Sequence, residues 1–192
     1  MTVRGRFQMK RKIHIFGASG SGTSSIAQAV AKKFNYQHFD TDDYLWYPTE
    51  RPFTELRPVE ERIPLLEKDL ASCSQWINSG SLCGWGDVFI PLFDLIVFVY
   101  VPQEIRVERL KKREYQRYGD ATLPGGSRHE STLEFIEWAA GYDVGLLPGR
   151  SLPKHEDWLA NIPCDVLRIE NLDFDKSVNA VIAAIGDEKR HC

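Results

Sequence analysis

Ile13-His14-Ile15-Phe16-Gly17-Ala18-Ser19-Gly20-Ser21-Gly22-Thr23-Ser24-Ser25 is an apolar run that ends in a loop of small residues. The run predicts a buried strand. The loop opens into a helix, because Ile26, Val30 and Phe34 recur at helical spacing with alanines between them. Glycines let the backbone turn its N–H groups inward, and the helix N-terminus adds its dipole, so the loop is built to hold a phosphate. The pattern is G-x-x-x-x-G-K-[ST] with one departure. Gly17 and Gly22 are in register and Ser24 holds the metal-ligand hydroxyl position, but Thr23 stands where the lysine belongs. Gly17, Ala18, Ser19, Gly20, Ser21, Gly22, Thr23, Ser24 and Ser25 are the expected nucleotide-binding residues.

Working outward, 192 residues suit a single domain with a substantial core. Apolar residues make up 43% and charged ones 27%, and a net charge of −3 argues against a general nucleic-acid binder. Arg4 to Lys12 is a basic segment, expected to form a flexible arm over residues 1–11, with Met9 an alternative start. Cys73, Cys83, Cys164 and Cys192 are scattered without metal-ligand spacing, which predicts neither zinc nor disulfides and favours a reducing compartment. The longest apolar run, Leu95 to Val101, is too short to span a bilayer, and no signal peptide is visible, so a cytoplasmic location is expected.

Further strands are predicted at Tyr36–Asp40, Gln75–Ser79, Leu95–Val101 and Val166–Ile169. Helices are predicted from Pro58 to about Ser72, from Pro102 to about Tyr115, from Ser151 to Asn161, and around Val178–Ile185 up to Gly186. Ser131-Thr132-Leu133-Glu134 reads as a capping box opening another helix. The unbroken apolar run at Leu95 implies a strand covered on both faces. Together these give an α/β fold: a five-stranded parallel sheet in a three-layer sandwich.

This arrangement resembles the adenylate kinase and shikimate kinase group of small P-loop phosphotransferases. The likeness rests on Gly17 to Ser24, the D-x-D of Asp40-Thr41-Asp42, Leu56-Arg57-Pro58-Val59-Glu60, and the arginine-bearing segment Arg106 to Arg113. It implies an acceptor-binding insert over about residues 43–72 and a lid over about 115–131. It also implies ATP and Mg²⁺ as cofactors. Ser24 and Asp40 would then serve the metal, with Asp42 as orienter or base toward the acceptor hydroxyl. Arg109 and Arg113 would clamp the phosphates in place of the lysine.

Asp40 and Asp42 lie two apart on a segment read as extended, at the carboxyl edge of the sheet. Arg106, Arg109 and Arg113 share one helix face by their spacing. Arg57 could grip an anionic acceptor through its planar fork. Trp85 and Asp87, in the glycine-rich loop after the third strand, are expected to face the same cleft; Gly84 and Trp85 with Asp40 and Arg57 make the expected substrate-binding set. His14 reads as a packed core histidine, His129 has no acid–base partner, and Cys83 reads as a small filler.

The expected function is transfer of the γ-phosphoryl group of ATP to a small acceptor, a nucleoside monophosphate or another metabolite. The alternative is a nucleotide-binding module or slow NTPase, because the loop lysine is absent. The expected partner is a small-molecule acceptor, without nucleic acid or membrane, on a monomer or homodimer.

Overall fold

The computed structural model describes residues 9–145 and 148–186. Cys192 and the arm residues before Met9 lie outside the described residues. From residue 9 onward the expected flexible arm is fastened to the body. Lys10 N donates to Ile185 O at 3.0 Å, and Arg11 N donates to Asp94 Oδ2 at 2.9 Å.

Five strands form one parallel sheet: β1 (Lys12–Gly17), β2 (Gln37–Asp40), β3 (Trp76–Ser79), β4 (Leu95–Tyr100) and β5 (Asp165–Glu170). Their spatial order is β2-β3-β1-β4-β5. The helices are α1 (Thr23–Phe34), α2 (Thr41–Leu45), α3 (Val59–Ala71), α4 (Gln103–Tyr118), α5 (His129–Ala140), α6 (Leu152–Leu159) and α7 (Phe174–Ile185). The predicted α/β sandwich with a five-stranded parallel sheet is therefore the observed fold. β1 sits at the centre with β3 and β4 on either side, so the chain leaves it toward a crevice where connections diverge.

Each face of the sheet buries a different interior. On one side Ile13, Ile15, Val97 and Val99 pack against Ile26, Ala27 and Val30 of α1 and Val181 and Ile185 of α7. On the other, Phe16, Trp76, Phe93 and Phe98 pack against Leu66 and Leu70 of α3 and Trp158 of α6. His14 belongs to this aromatic side as expected. It is fully buried, stacked between Phe16 and Phe93, with Nδ1 2.9 Å from Asn78 Oδ1.

Three local expectations are corrected. The segment after β2 is not extended. Asp40 accepts from Asp42 N at 3.1 Å and so caps the short helix α2, which carries Asp42 in its first turn. The capping box at Ser131 does not form, since α5 already starts at His129 and the Ser131 hydroxyl donates back to Arg128 O. α4 continues to Tyr118, three residues past the expected end, and Gly119 closes it. A 3₁₀ segment at Asp87–Leu92 was not foreseen.

Candidate phosphate-binding and acceptor site

The loop between β1 and α1 does what its glycines require. Gly22 immediately precedes α1 at φ +89°, a left-handed conformation that side chains disfavour. A Cβ there would meet Asn171 Nδ2 at 2.7 Å. Asn171, just after β5, holds the loop from behind. Its Nδ2 donates to Ser21 O at 2.8 Å, while its own carbonyl accepts from Arg109 Nη2 at 2.9 Å. Ser21 turns its side chain into the interior, where it is fully buried.

The loop floors a cleft of about 1350 Å³. Gly17, Ala18, Ser19, Gly20, Gly22, Thr23, Ser24 and Ser25 line it; Ser21 does not, and its contribution is to the loop's shape. Ser24 Oγ donates to Asp40 Oδ2 at 2.6 Å. Ser79 Oγ, at the end of β3, lies 3.2 Å from the same carboxylate oxygen and 2.9 Å from His38 Nε2. A hydroxyl and a carboxylate thus converge where α1 begins. Among the described residues no cluster of three His, Cys, Asp or Glu side chains could hold a metal ion by itself. Magnesium asks for less, since it keeps several waters and takes one or two protein oxygens beside substrate phosphates. Ser24 and Asp40 fit that demand.

Asp42 lines the cleft beyond Asp40. Burial pushes its carboxyl above the ordinary carboxylate value; Arg150 and Arg113 oppose that rise, while Asp40 and Asp43 add to it. Among the described residues the lysine and arginine side chains that line the cleft are all arginines: Arg51, Arg109, Arg113, Arg117, Arg128 and Arg150. Arg113 is bound edgewise to Glu114 Oε1 at 3.0 Å and lies over the Phe135 ring. Arg106 does not share the exposed face of Arg109 and Arg113. It is fully buried, donating to Val101 O, Ala139 O and Asp143 Oδ2.

Arg57 is not brought to the cleft lining. Its guanidinium donates to Tyr44 O and Trp46 O and covers the Tyr47 ring, so it staples the insert instead of gripping a ligand. Gly84 and Trp85 line a neighbouring cavity of about 310 Å³ that shares Asp42 and Arg150 with the cleft. Sequence reasoning missed Arg150, Ser79 and Asn171. Ser79 and Asn171 each directly follow or end a strand at the carboxyl edge, and that position was their signal. Arg150 follows a connection of no regular pattern and gave none.

The glycine-turned loop between β1 and α1, on a parallel sheet of this order, defines a P-loop protein of the small kinase-like group. The family model described as AAA domain matches residues 13–133, and the chain belongs to that family. It is 48% identical over 179 residues to the Bacillus subtilis (strain 168) protein named Uncharacterized protein YqaC, covering 93% of this chain and 97% of that one. A cytidylate kinase from Archaeoglobus fulgidus is 28% identical over 119 residues, which cover 54% of this chain and 62% of the relative. The shikimate kinase of Bacteroides thetaiotaomicron shares the fold, with a TM-score of 0.56 at 20% identity over 92% of this chain and 98% of that one.

Proposed function

We propose that the protein is an ATP- and Mg²⁺-dependent kinase of a small acceptor. The observation that carries this reading is the 2.6 Å contact of the Ser24 hydroxyl with Asp40 at the mouth of the phosphate loop. Ser24 and Asp40 would hold the metal, the backbone of Gly17 to Ser25 the phosphates. Bound there, Mg·ATP supplies the phosphoryl group and the metal's charge. Phosphoryl transfer needs positioning and charge neutralisation more than covalent chemistry. Arg113, which lines the cleft and acts on Asp42, brings the cation that Thr23 does not. Arg109, tied to the Asn171 carbonyl, steadies the loop edge. Asp42, made more basic by burial, is placed to orient an acceptor hydroxyl and take its proton. Among the described residues no helix is long and apolar enough to cross a membrane, and Cys73, Cys83 and Cys164 are free thiols. Both support a reducing, cytoplasmic setting.

Thr23 favours a second reading, a nucleotide-binding module or slow NTPase. One variant tests the nucleotide binding that both readings share, and a second separates them. Saturating Mg·ATP at a hundredfold excess over its dissociation constant adds about 2.7 kcal/mol of stability. Gly22→Val should abolish that thermal shift, with circular dichroism as the folding control. Thr23→Lys should change ADP release little, because arginines already supply the charge. Strong turnover appearing only in Thr23→Lys identifies the natural protein as a binding module. No thermal shift with ATP or GTP removes the nucleotide reading altogether.

A further inference from the structure

The smaller cavity beside the cleft has a chemistry of its own. Trp85 and Leu45 give it apolar walls, Arg150 and Lys154 give it two cations, and Asp42 stands at its junction with the cleft. Neither Arg150 nor Lys154 takes part in an ion pair among the described residues. Lys154 Nζ donates to Gly149 O at 2.8 Å, and Arg150 lies over the Trp138 ring, so both are held by neutral partners.

A buried relay stands behind the same wall. His155 is fully buried, with Nδ1 2.7 Å from the Tyr142 hydroxyl and Nε2 3.0 Å from Ser81 Oγ. Burial pushes His155 down to about 3, with Arg150 and His14 acting in the same direction, so the ring is neutral. A neutral imidazole has one donor and one acceptor. The ring meets the Tyr142 hydroxyl at one nitrogen and Ser81 Oγ at the other, and Ser81 lines the cavity. The wall therefore offers two cations and a hydroxyl held in place, and a carboxylate faces them.

We propose that this cavity is the acceptor pocket and that the acceptor is a small alcohol carrying a carboxylate or a phosphate. Its anionic group lies against Arg150, Lys154 and Ser81, and its hydroxyl reaches Asp42. The assignment rests on the kinase reading above. Acceptor oxygen bonds to the γ-phosphorus of ATP as the bond from that phosphorus to the β–γ bridging oxygen breaks. Asp42 receives the hydroxyl proton, and ADP leaves. The cavity, about 310 Å³, opens on the cleft and shares Asp42, Leu45, Gly149 and Arg150 with it, so an acceptor held there reaches the phosphate loop.

The test is a thermal-shift titration of the full chain with D-glycerate, glycerol 3-phosphate, glycerol and CMP, each with and without Mg·AMP-PNP. Protection by glycerate or by glycerol 3-phosphate, absent with glycerol, supports the pocket and tells carboxylate from phosphate. Arg150→Gln should weaken that protection about tenfold or more, and the exposed Lys154→Gln about threefold. Ser81→Ala should weaken it while the response to Mg·AMP-PNP reports that the variant is folded. Protection by CMP that survives Arg150→Gln overturns the assignment, as does equal protection by glycerol or none from either anion. A missing AMP-PNP shift with anion protection intact sinks the nucleotide reading and upholds the pocket. The reverse pattern sinks the pocket alone.

Discussion

Ile15 and Phe16 are neighbours on β1, yet they enter two different interiors. Ile15 joins an aliphatic layer with α1 and α7 that carries the phosphate loop. Phe16 joins an aromatic layer that holds two buried histidines and borders the smaller cavity. Its ring lies 5.3 Å from His14 and 4.9 Å from His155. Among the described residues the aliphatic layer holds no histidine, and its close packing resists rearrangement of the loop above it. The aromatic layer contains polar atoms that need partners, and His14 Nε2 and Trp76 Nε1 find none among the described residues. The layer under the glycine loop is thus a fixed platform, while the aromatic layer behind the proposed acceptor cavity holds two strongly depressed histidines.

The platform breaks first at Gly17. A Cβ there would lie 2.2 Å from Val99 O on the paired strand β4 and 2.8 Å from Ser21 Oγ. Gly17→Ala should cost more than the ~3 kcal/mol that usually bounds overpacking, because backbone and not a side chain must yield. A chemical denaturation midpoint close to the parent's would show that the β1–β4 pair is softer than argued.

The acceptor side should show the larger pH response. Burial lowers His14 to about 4 and His155 to about 3, against 6.5 in an unfolded chain. Both rings stay neutral in the folded state, so their contribution is complete above pH 6.5 and is lost as pH falls toward 4. Each histidine should cost about 1 kcal/mol between pH 6.5 and 5.5, about 2 kcal/mol together. Asp42, raised in the folded state, acts in the opposite sense at its own titration. His38, beside Ser79, is also lowered by burial and adds a loss of the same sign, so urea unfolding at the two pH values should show a loss of about 2 kcal/mol or more; a flat profile contradicts the assignment.

The smallest effect sharpens the contrast most. Ile15→Val and Phe16→Leu should each cost about 1 kcal/mol. Only Phe16→Leu should alter the pH slope, because only Phe16 packs on the histidines. Identical slopes would mean that the two layers are not electrostatically distinct.

The two sides also differ in how far the sequence reveals them. Ile13 to Ser25 displays its strand, turn and helix in consecutive residues, and Leu95 to Val101 displays burial on both faces. Local patterning suffices there because the glycines and the apolar run are contiguous. Around the smaller cavity, the lining residues converge from far apart in the chain. Asp42 became helical because the Asp40 side chain took the helix cap, a choice between strand and cap that spacing alone does not decide. Arg57 and Arg106 carry the same charge as Arg113, but backbone carbonyls of neighbouring segments capture them. Arg150 enters only through the tertiary path of its connection.

Asn171 carries a consequence for the order of synthesis. Its amide supports Ser21 O across 150 residues of chain, and its carbonyl anchors Arg109. A growing polypeptide with β1, α1 and even α4 already made still lacks that support. The loop acquires its nucleotide-ready form only when the last strand docks at the sheet edge. Ligand binding would then report that the chain has been made and packed at least as far as Asn171.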